Sequence, residues 1–408
     1  MSSARKAAPA PRPGAGARRG LSLFVLTLLA VEFLDEVVFG LREAAWPLIR
    51  DDLRLSYTQV GVVLSVPPVV GHVVEPLLGV LGDVWRRRSL VLAGGVAFAA
   101  GTLLVGASTS FAPLLAASIL SNPASGAFIG LSQATLMDAE PGRREQNMAR
   151  WALAGSAGNS VGPAAVGACV WAGVSWRWGF VAAGALMLLS VAAAWRQPFE
   201  TPAAAAGEVR ARAALFEGLR GALRALRRRA VLRWLVLLQL GDFTYDILRG
   251  FLALYFVDVA GAGEGGAALA VAVWTWVGLA GDFAVVPLLE RVRGLRYLRV
   301  STSFVTLLFP LMLLAGGFPT KLALLGLLGL ANAGWYAIIK AKLYDEMPGQ
   351  SGTVAMTLGN VFGLAGSLLP LALGAYAERY GLGSMMWLLA LGPVALLAGL
   401  LTVKESRR

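Results

Sequence analysis

Two residue types are almost missing from this chain of 408: it holds one cysteine, Cys169, and one histidine, His72. No disulfide can form within the chain, and no Cys/His cage for a metal can be assembled. Thiol and imidazole chemistry therefore have little to draw on, and no nucleophile motif stands out. Neither an enzyme nor a cofactor- or metal-dependent protein is expected. Charge is scarce as well: 15% of residues are charged and 57% are hydrophobic, against roughly a quarter charged in a soluble domain.

Long apolar runs fill the space that charge leaves. They fall at 21–48, 56–82, 88–108, 111–138, 148–172 and 177–195, then at 232–256, 266–290, 296–316, 320–343, 351–377 and 383–403. Each is long enough to cross a hydrocarbon layer of roughly 30 Å as a helix. The expected fold is therefore an all-α membrane protein of twelve transmembrane helices in two six-helix, pseudo-symmetric bundles. Residues 1–19 read as a disordered Pro- and Arg-rich tail, 20–195 and 232–403 as the bundles, and 404–408 as a second tail. The first run is retained as a span, because acids and no small-residue cleavage site follow it.

The net charge of +12 would suggest nucleic acid on a soluble protein. Here the basic residues lie between apolar runs, where they set orientation. With the N-terminus inside, 29 of the 36 Lys and Arg residues fall on the inner side. Both termini are then cytoplasmic in a multi-pass protein of the cell membrane, and nucleic acid is not an expected partner. The widest gap, 196–231, carries Phe216, Leu219, Leu223 and Leu226 on one helical stripe with arginines on the other faces. It reads as an amphipathic connector on the cytoplasmic lipid surface.

The two sets of spans repeat each other. At a shift of 207 residues, Asp138 and Pro141 meet Asp345 and Pro348, Pro163 meets Pro370, Glu75 meets Asp282 and Asp83 meets Glu290. With three further residues, Glu32 meets Asp242 and Gly40 meets Gly250. Parallel repeats suit a protein that rocks one bundle against the other around a central site.

The stretch "GVLGDVWRRR" at 79–88 resembles the loop between helices 2 and 3 of the major facilitator superfamily: Gly79, Leu81, Asp83, Arg87 and Arg88 match, while Val84 and Arg86 depart. The resemblance implies a cytoplasmic latch formed by Gly79, Asp83, Arg87 and Arg88. "GNSVGPAAVG" in the fifth span, with Gly158, Gly162, Pro163 and Gly167, is similar to the Gly-Pro motif of antiporters in that superfamily. Small residues at this spacing let helices touch closely. The drug–proton antiporters also carry an arginine early in span 4, where this chain has Ile119, Leu120 and Asn122. The family implies alternating access, a central cavity lined by spans 1 and 7, and a monomer.

Span 1 holds the least expected feature, "EFLDEVVFGLRE" at 32–43. At about 100° per residue, Glu32, Asp35, Glu36, Phe39, Gly40, Arg42 and Glu43 share less than half of the helix circumference. Charges gathered on one side imply an aqueous cavity there. Span 7 repeats the pattern with Asp242, Tyr245, Asp246 and Arg249. Two roles compete: structural ion pairs (Arg42 with Asp35, Arg249 with Asp246), or acids left free to load and release a proton. Glu32 and Asp35 lie nearest mid-membrane and are the first candidates for proton coupling, followed by Glu36, Asp242 and Glu75. Glu75 lies close enough to His72 for a proton relay.

Further candidates complete the cavity wall. They are Gln133 and Asn332 as hydrogen-bonding groups and Trp274 and Trp276 as an aromatic face. Lys340 and Lys342 read as snorkelling anchors, and Trp46, Trp171, Trp176 and Trp178 as an interfacial belt. The expected activity is proton-coupled export, by antiport, of a small organic molecule, with a cation the favoured kind. Uptake by symport of a sugar, amino acid or metabolite, a lipid flippase, and a non-transporting receptor or scaffold are the alternatives.

Overall fold

The computed structural model describes residues 22–84, 87–139, 144–197, 199, 220, 224, 226–346 and 363–403. Within them the chain is helical, and the described residues include no strand. The first helices are α1 (Leu23–Leu53), α2 (Tyr57–Val84) and α3 (Arg87–Ala107). Next, α4 (Phe111–Ser125) and α5 (Leu131–Ala139) are joined by a π-helical turn at Gly126–Gly130. They are followed by α6 (Arg144–Trp171) and α7 (Arg177–Trp195). The later helices are α8 (Arg229–Asp258), α9 (Glu264–Arg291), α10 (Gly294–Leu314), α11 (Phe318–Asn332) and α12 (Trp335–Asp345). The chain closes with α13 (Leu369–Tyr380), α14 (Leu382–Leu389) and α15 (Leu391–Thr402).

Eight described helical stretches are long and apolar enough to cross a bilayer on those grounds alone. The expected spans 21–48 and 232–256 became the long helices α1 and α8, yet neither is among the eight. Both carry charged residues inside the run: Glu32 to Glu43 in one, Asp242 to Arg249 in the other. Span 351–377 is described only from Gly363 onward. Most of the connector at 196–231 lies outside the described residues, as do both tails.

Helix ends are closed by identifiable groups. Ser22 caps α1, its hydroxyl accepting the Val25 N–H at 3.3 Å, and Arg54 ends the helix in the left-handed region with φ 52°. Basic side chains close others. Arg177 donates to the carbonyls of Gly106 (2.9 Å) and Ser108 (2.5 Å) at the end of α3. Lys321 donates to Met312 and Leu313 carbonyls at the end of α10, both at 2.9 Å, and to the Tyr255 hydroxyl at 2.8 Å. Arg88 reaches the Trp195 carbonyl after α7, and Arg299 the carbonyls of Leu400 (3.2 Å) and Val403 (2.5 Å) after α15. A cation at a helix C-terminus satisfies orphan carbonyls and opposes the negative end of the dipole.

The closest packing lies between α1 and α6. A Cβ placed on Gly162 would sit 2.6 Å from the Gly40 Cα and 2.4 Å from the Leu41 N, and one on Gly158 would sit 2.1 Å from the Phe33 carbonyl oxygen. These neighbours are backbone and cannot swing away. Two members of the Gly-Pro motif therefore put α6 in direct contact with the acidic helix. Gly167 has no such role: its nearest neighbour would be the Ala268 Cβ at 3.9 Å.

Candidate functional site

Between α1, α2 and α4 on one side and α8, α12 and α13 on the other lies a cavity of about 800 Å³. Phe39, Arg42 and Trp46 project from α1, His72 from α2, and Asn122 from α4. Facing them are Asp242, Phe243 and Asp246 of α8 and Tyr336 and Lys340 of α12. The walls are mostly apolar, with a few convergent polar groups, as small-molecule sites usually are. A second cavity of about 110 Å³ adjoins it within the first set of helices. Asp35, Thr102, Ser121 and Ser125 line this one, and the two cavities share Phe39, Arg42 and Asn122.

The acids of α1 take different positions. Asp35 borders the small cavity and accepts from the Ser125 hydroxyl at 2.7 Å. Glu36 accepts from the Asn159 amide at 3.1 Å, and Asn159 in turn accepts from Arg249 at 3.2 Å. Glu32 is buried and fills the space over Gly155, where a Cβ would lie 2.6 Å from its Oε1. Neither Glu32 nor Glu36 lines either cavity.

Arg249 and its neighbours correct both expected ion pairs. Its guanidinium meets Glu43, not Asp246, at 2.9 and 3.1 Å, both groups nearly buried. The rings of Phe39 and Tyr245 flank it at 5.0 and 5.2 Å. A buried cation needs a partner of opposite charge, and the α1–α8 crossing brings Glu43 closer than the acid one turn away on the same helix. Arg42 and Asp35 are likewise not paired. Among the described residues Arg42 has no hydrogen-bond or ion-pair partner, only the Phe39 ring at 5.7 Å.

Other expected wall residues sit elsewhere. Tyr245 packs on Trp274 at 5.7 Å between ring centres, behind the cavity wall. Trp276 is half exposed and donates to the Ser160 carbonyl at 3.0 Å, at the α6–α9 seam. Gln133 contacts the Met148 sulfur at 3.8 Å, and Asn332 ends α11; neither reaches the cavity. Lys340 lines the cavity instead of acting as a snorkelling anchor and donates to the Tyr336 hydroxyl at 2.5 Å, while Lys342 pairs with Asp345 at 3.2 Å. Trp46, placed in the interfacial belt by its position, is 1% exposed and lines the cavity.

Glu75 and Asp282, the repeat-related acids, both meet a break in a helix. The Glu75 side chain lies against Gly126, where a Cβ would sit 2.5 Å from its Cγ, at the start of the π turn. Asp282 accepts the Gly334 N–H between α11 and α12 at 2.8 Å. No hydrogen bond joins Glu75 to His72 among the described residues, and the His72 Nδ1 has no partner. Of the expected latch, buried Arg87 pairs with Asp138 at 2.8 Å, while the surroundings of Gly79 and the Asp83 side chain lie outside what the structure describes.

One end of the cavity is shut by groups that sequence reasoning did not single out. Arg50 of α1 pairs with Asp258 of α8 at 2.6 Å, and the Tyr57 hydroxyl of α2 donates to the same carboxylate at 2.7 Å. The Tyr57 N–H donates to Glu378 of α13 at 2.6 Å. Deeper in, the Ser65 hydroxyl accepts the Leu371 N–H at 2.9 Å, and Gly61 and Gly374 let α2 and α13 touch through their backbones. Lys340, Leu343 and Gly363 border the other end.

Comparison with known proteins fits this geometry. The family model of the Major Facilitator Superfamily matches residues 28–370. The chain belongs to that superfamily. As a superfamily member it is a multi-pass membrane transporter, not an enzyme. No curated protein matches the sequence significantly. Among solved structures, the nucleoside transporter NupG is similar at a TM-score of 0.75 and 15% identity, over 93% of this chain and all of that one. A bacterial homologue of the human lysosomal transporter Spinster, in an inward-facing and occupied conformation, gives 0.74 at 14% identity, over 94% and 97%. The POT family transporter PepTSo gives 0.66 at 14% identity, over 93% and 96%.

Proposed function

We propose that this superfamily member is a proton-coupled exporter of a small organic molecule carrying positive charge, working as a monomer by alternating access. Its two six-helix bundles are residues 20–195 and 232–403, joined by the cytoplasmic connector 196–231. Both termini are cytoplasmic in the cell membrane, as the inner bias of Lys and Arg indicates. The end closed by Arg50, Tyr57 and Asp258 is then the outer one, and the cavity opens inward.

The observation that carries the reading is the position of three carboxylates. Asp242 and Asp246, one turn apart on α8, face the large cavity, and Asp35 faces the small one that adjoins it. An acid at membrane depth is tolerated where it borders water or a partner. Asp242 and Asp246 offer a cation two acceptors, while Asp35, held by Ser125, can exchange a proton with the same aqueous space. Glu32 and Glu36 lie within one turn of Asp35 on α1, so carboxylates cluster on this stretch of the helix.

Proteoliposomes under an imposed pH gradient provide the test. Purified protein is screened with a panel of organic cations, and counterflow in vesicles of defined orientation gives the direction. Asp35→Asn is expected to abolish gradient-driven flux while substrate binding persists. Coupling left intact in both Asp35→Asn and Glu32→Gln would sink the assignment, and accumulation driven by an inward proton gradient would reverse it to uptake.

A further inference from the structure

The wall opposite Asp242 and Asp246 holds two donors with nothing to donate to. Arg42 lines both cavities, and among the described residues its guanidinium makes no hydrogen bond and no ion pair. Asp35 and Glu43 act on it through space without reaching pairing distance, and Glu43 is engaged with Arg249. One turn further along the same face of α1, Trp46 is 1% exposed, lines the cavity, and its indole N–H has no partner. The buried Trp46 N–H left unmade costs free energy, and the partly exposed Arg42 guanidinium borders the cavity at membrane depth with no paired counter-ion among the described residues. Two such groups side by side on a cavity wall call for an acceptor carried in by the ligand.

We infer that Arg42 and the Trp46 indole N–H form an anion subsite, so that the cargo is a zwitterion spanning the cavity from α1 to α8. The inference rests on the reading above, in which Asp242 and Asp246 hold the cationic end. A carboxylate matches the forked donors of a guanidinium in two parallel hydrogen bonds, and the indole supplies a third donor. Phe39 and Phe243 line the space between the two ends, which suits an apolar or aromatic body. A simple cation would leave Arg42 facing like charge. A simple anion would leave the α8 carboxylates facing like charge. Glu43, bonded to Arg249, and Lys340 also line the cavity, so each wall carries both signs; what a ligand adds is an acceptor for the Arg42 guanidinium on one side and a cation for the Asp242 and Asp246 carboxylates on the other.

Three probes that share one indole body separate the ends: free tryptophan, tryptamine without the carboxylate, and indole-3-propionate without the amine. Their binding is measured on the purified full chain in detergent at neutral pH. The wild type is expected to bind free tryptophan roughly tenfold or more tightly than tryptamine, the usual worth of a charge-assisted contact. Arg42→Gln should erase that advantage and leave tryptamine unchanged. Trp46→Phe, which keeps the ring and removes the N–H, should cost tryptophan severalfold and tryptamine nothing. Because Arg42 has no partner to lose, the ligand-free melting temperature of Arg42→Gln should equal or exceed the wild type; if that variant fails to fold, Trp46→Phe decides.

The outcomes divide cleanly. Equal binding of tryptophan and tryptamine by the wild type, or an advantage that survives Arg42→Gln, overturns the anion subsite while a tryptamine affinity lost in Asp242→Asn keeps the cation reading. Tryptophan binding that needs Arg42 but not Asp242 keeps the subsite and removes the cation anchor. Failure of all three probes to bind overturns the zwitterion.

Discussion

Asp282 accepts the Gly334 N–H at 2.8 Å where α11 gives way to α12, and its repeat-mate Glu75 lies against Gly126 where α4 enters the π turn. Irregular turns in membrane helices free backbone groups that something must satisfy, and π turns favour functional positions. Asp282→Ala is expected to lower stability by about 1 kcal/mol, the net worth of one hydrogen bond, while Asp282→Asn keeps an acceptor and most of the stability. Gly126→Ala should destabilise the wild type strongly and much less in a Glu75→Ala background. Thermal unfolding in detergent, run as a double-mutant cycle, measures both.

The outer closure gives a second expectation. Arg50 and Asp258 are each about one-quarter exposed, so their pair is worth roughly 1 kcal/mol, about fivefold in a two-state population. In a Cys169→Ser background, Phe39→Cys provides a reporter on the cavity wall. Arg50→Ala should speed its labelling by an impermeant maleimide from outside about fivefold, and Tyr57→Phe should have a smaller effect. Unchanged labelling in Arg50→Ala would show that the pair does not hold the closed state.

Arg249 and Glu43 are far better buried, with side chains 12% and 8% exposed. Removing either partner strands a charge, and about 3–5 kcal/mol of stability should go with it. Glu43→Gln combined with Arg249→Gln should recover most of the loss. The melting temperatures of the singles and the double check this directly. Additive losses would mean that the pair is not a unit.

The Gly-Pro stretch divides into two kinds of glycine. Gly158→Ala and Gly162→Ala push a methyl into the α1 backbone and should abolish folded yield or cost several kcal/mol, on the order of the largest overpacking penalties. Gly167→Ala makes only an ordinary contact with the Ala268 Cβ at 3.9 Å and should be neutral. Size-exclusion profiles of the three variants are sufficient to tell. Equal behaviour at all three positions would contradict the α1–α6 contact.

The all-helical membrane fold was legible because long apolar runs have no other stable home, and the acidic face of span 1 because its spacing is local. Arg249 shows where local reading ends: Glu43 lies 206 residues away, and no spacing rule reaches it. Trp46 was misplaced for a different reason. Helix α1 runs on to Leu53, beyond the apolar run that ended at 48, which carries Trp46 inward from the expected boundary. The π turn leaves no trace in composition, since one extra residue in a turn changes no pattern. Asn159 lies within the Gly-Pro stretch, yet its bridge between Glu36 and Arg249 depends on the crossing of three helices, which no local pattern encodes.

Arg88, Arg177, Arg299 and Lys321 are already engaged by the carbonyls at which α7, α3, α15 and α10 end. A tally of Lys and Arg along the chain therefore overstates the number of free donors offered to lipid phosphates. These side chains still count in the formal +12, but with N–H groups already committed they have fewer donors left to hold an anionic headgroup.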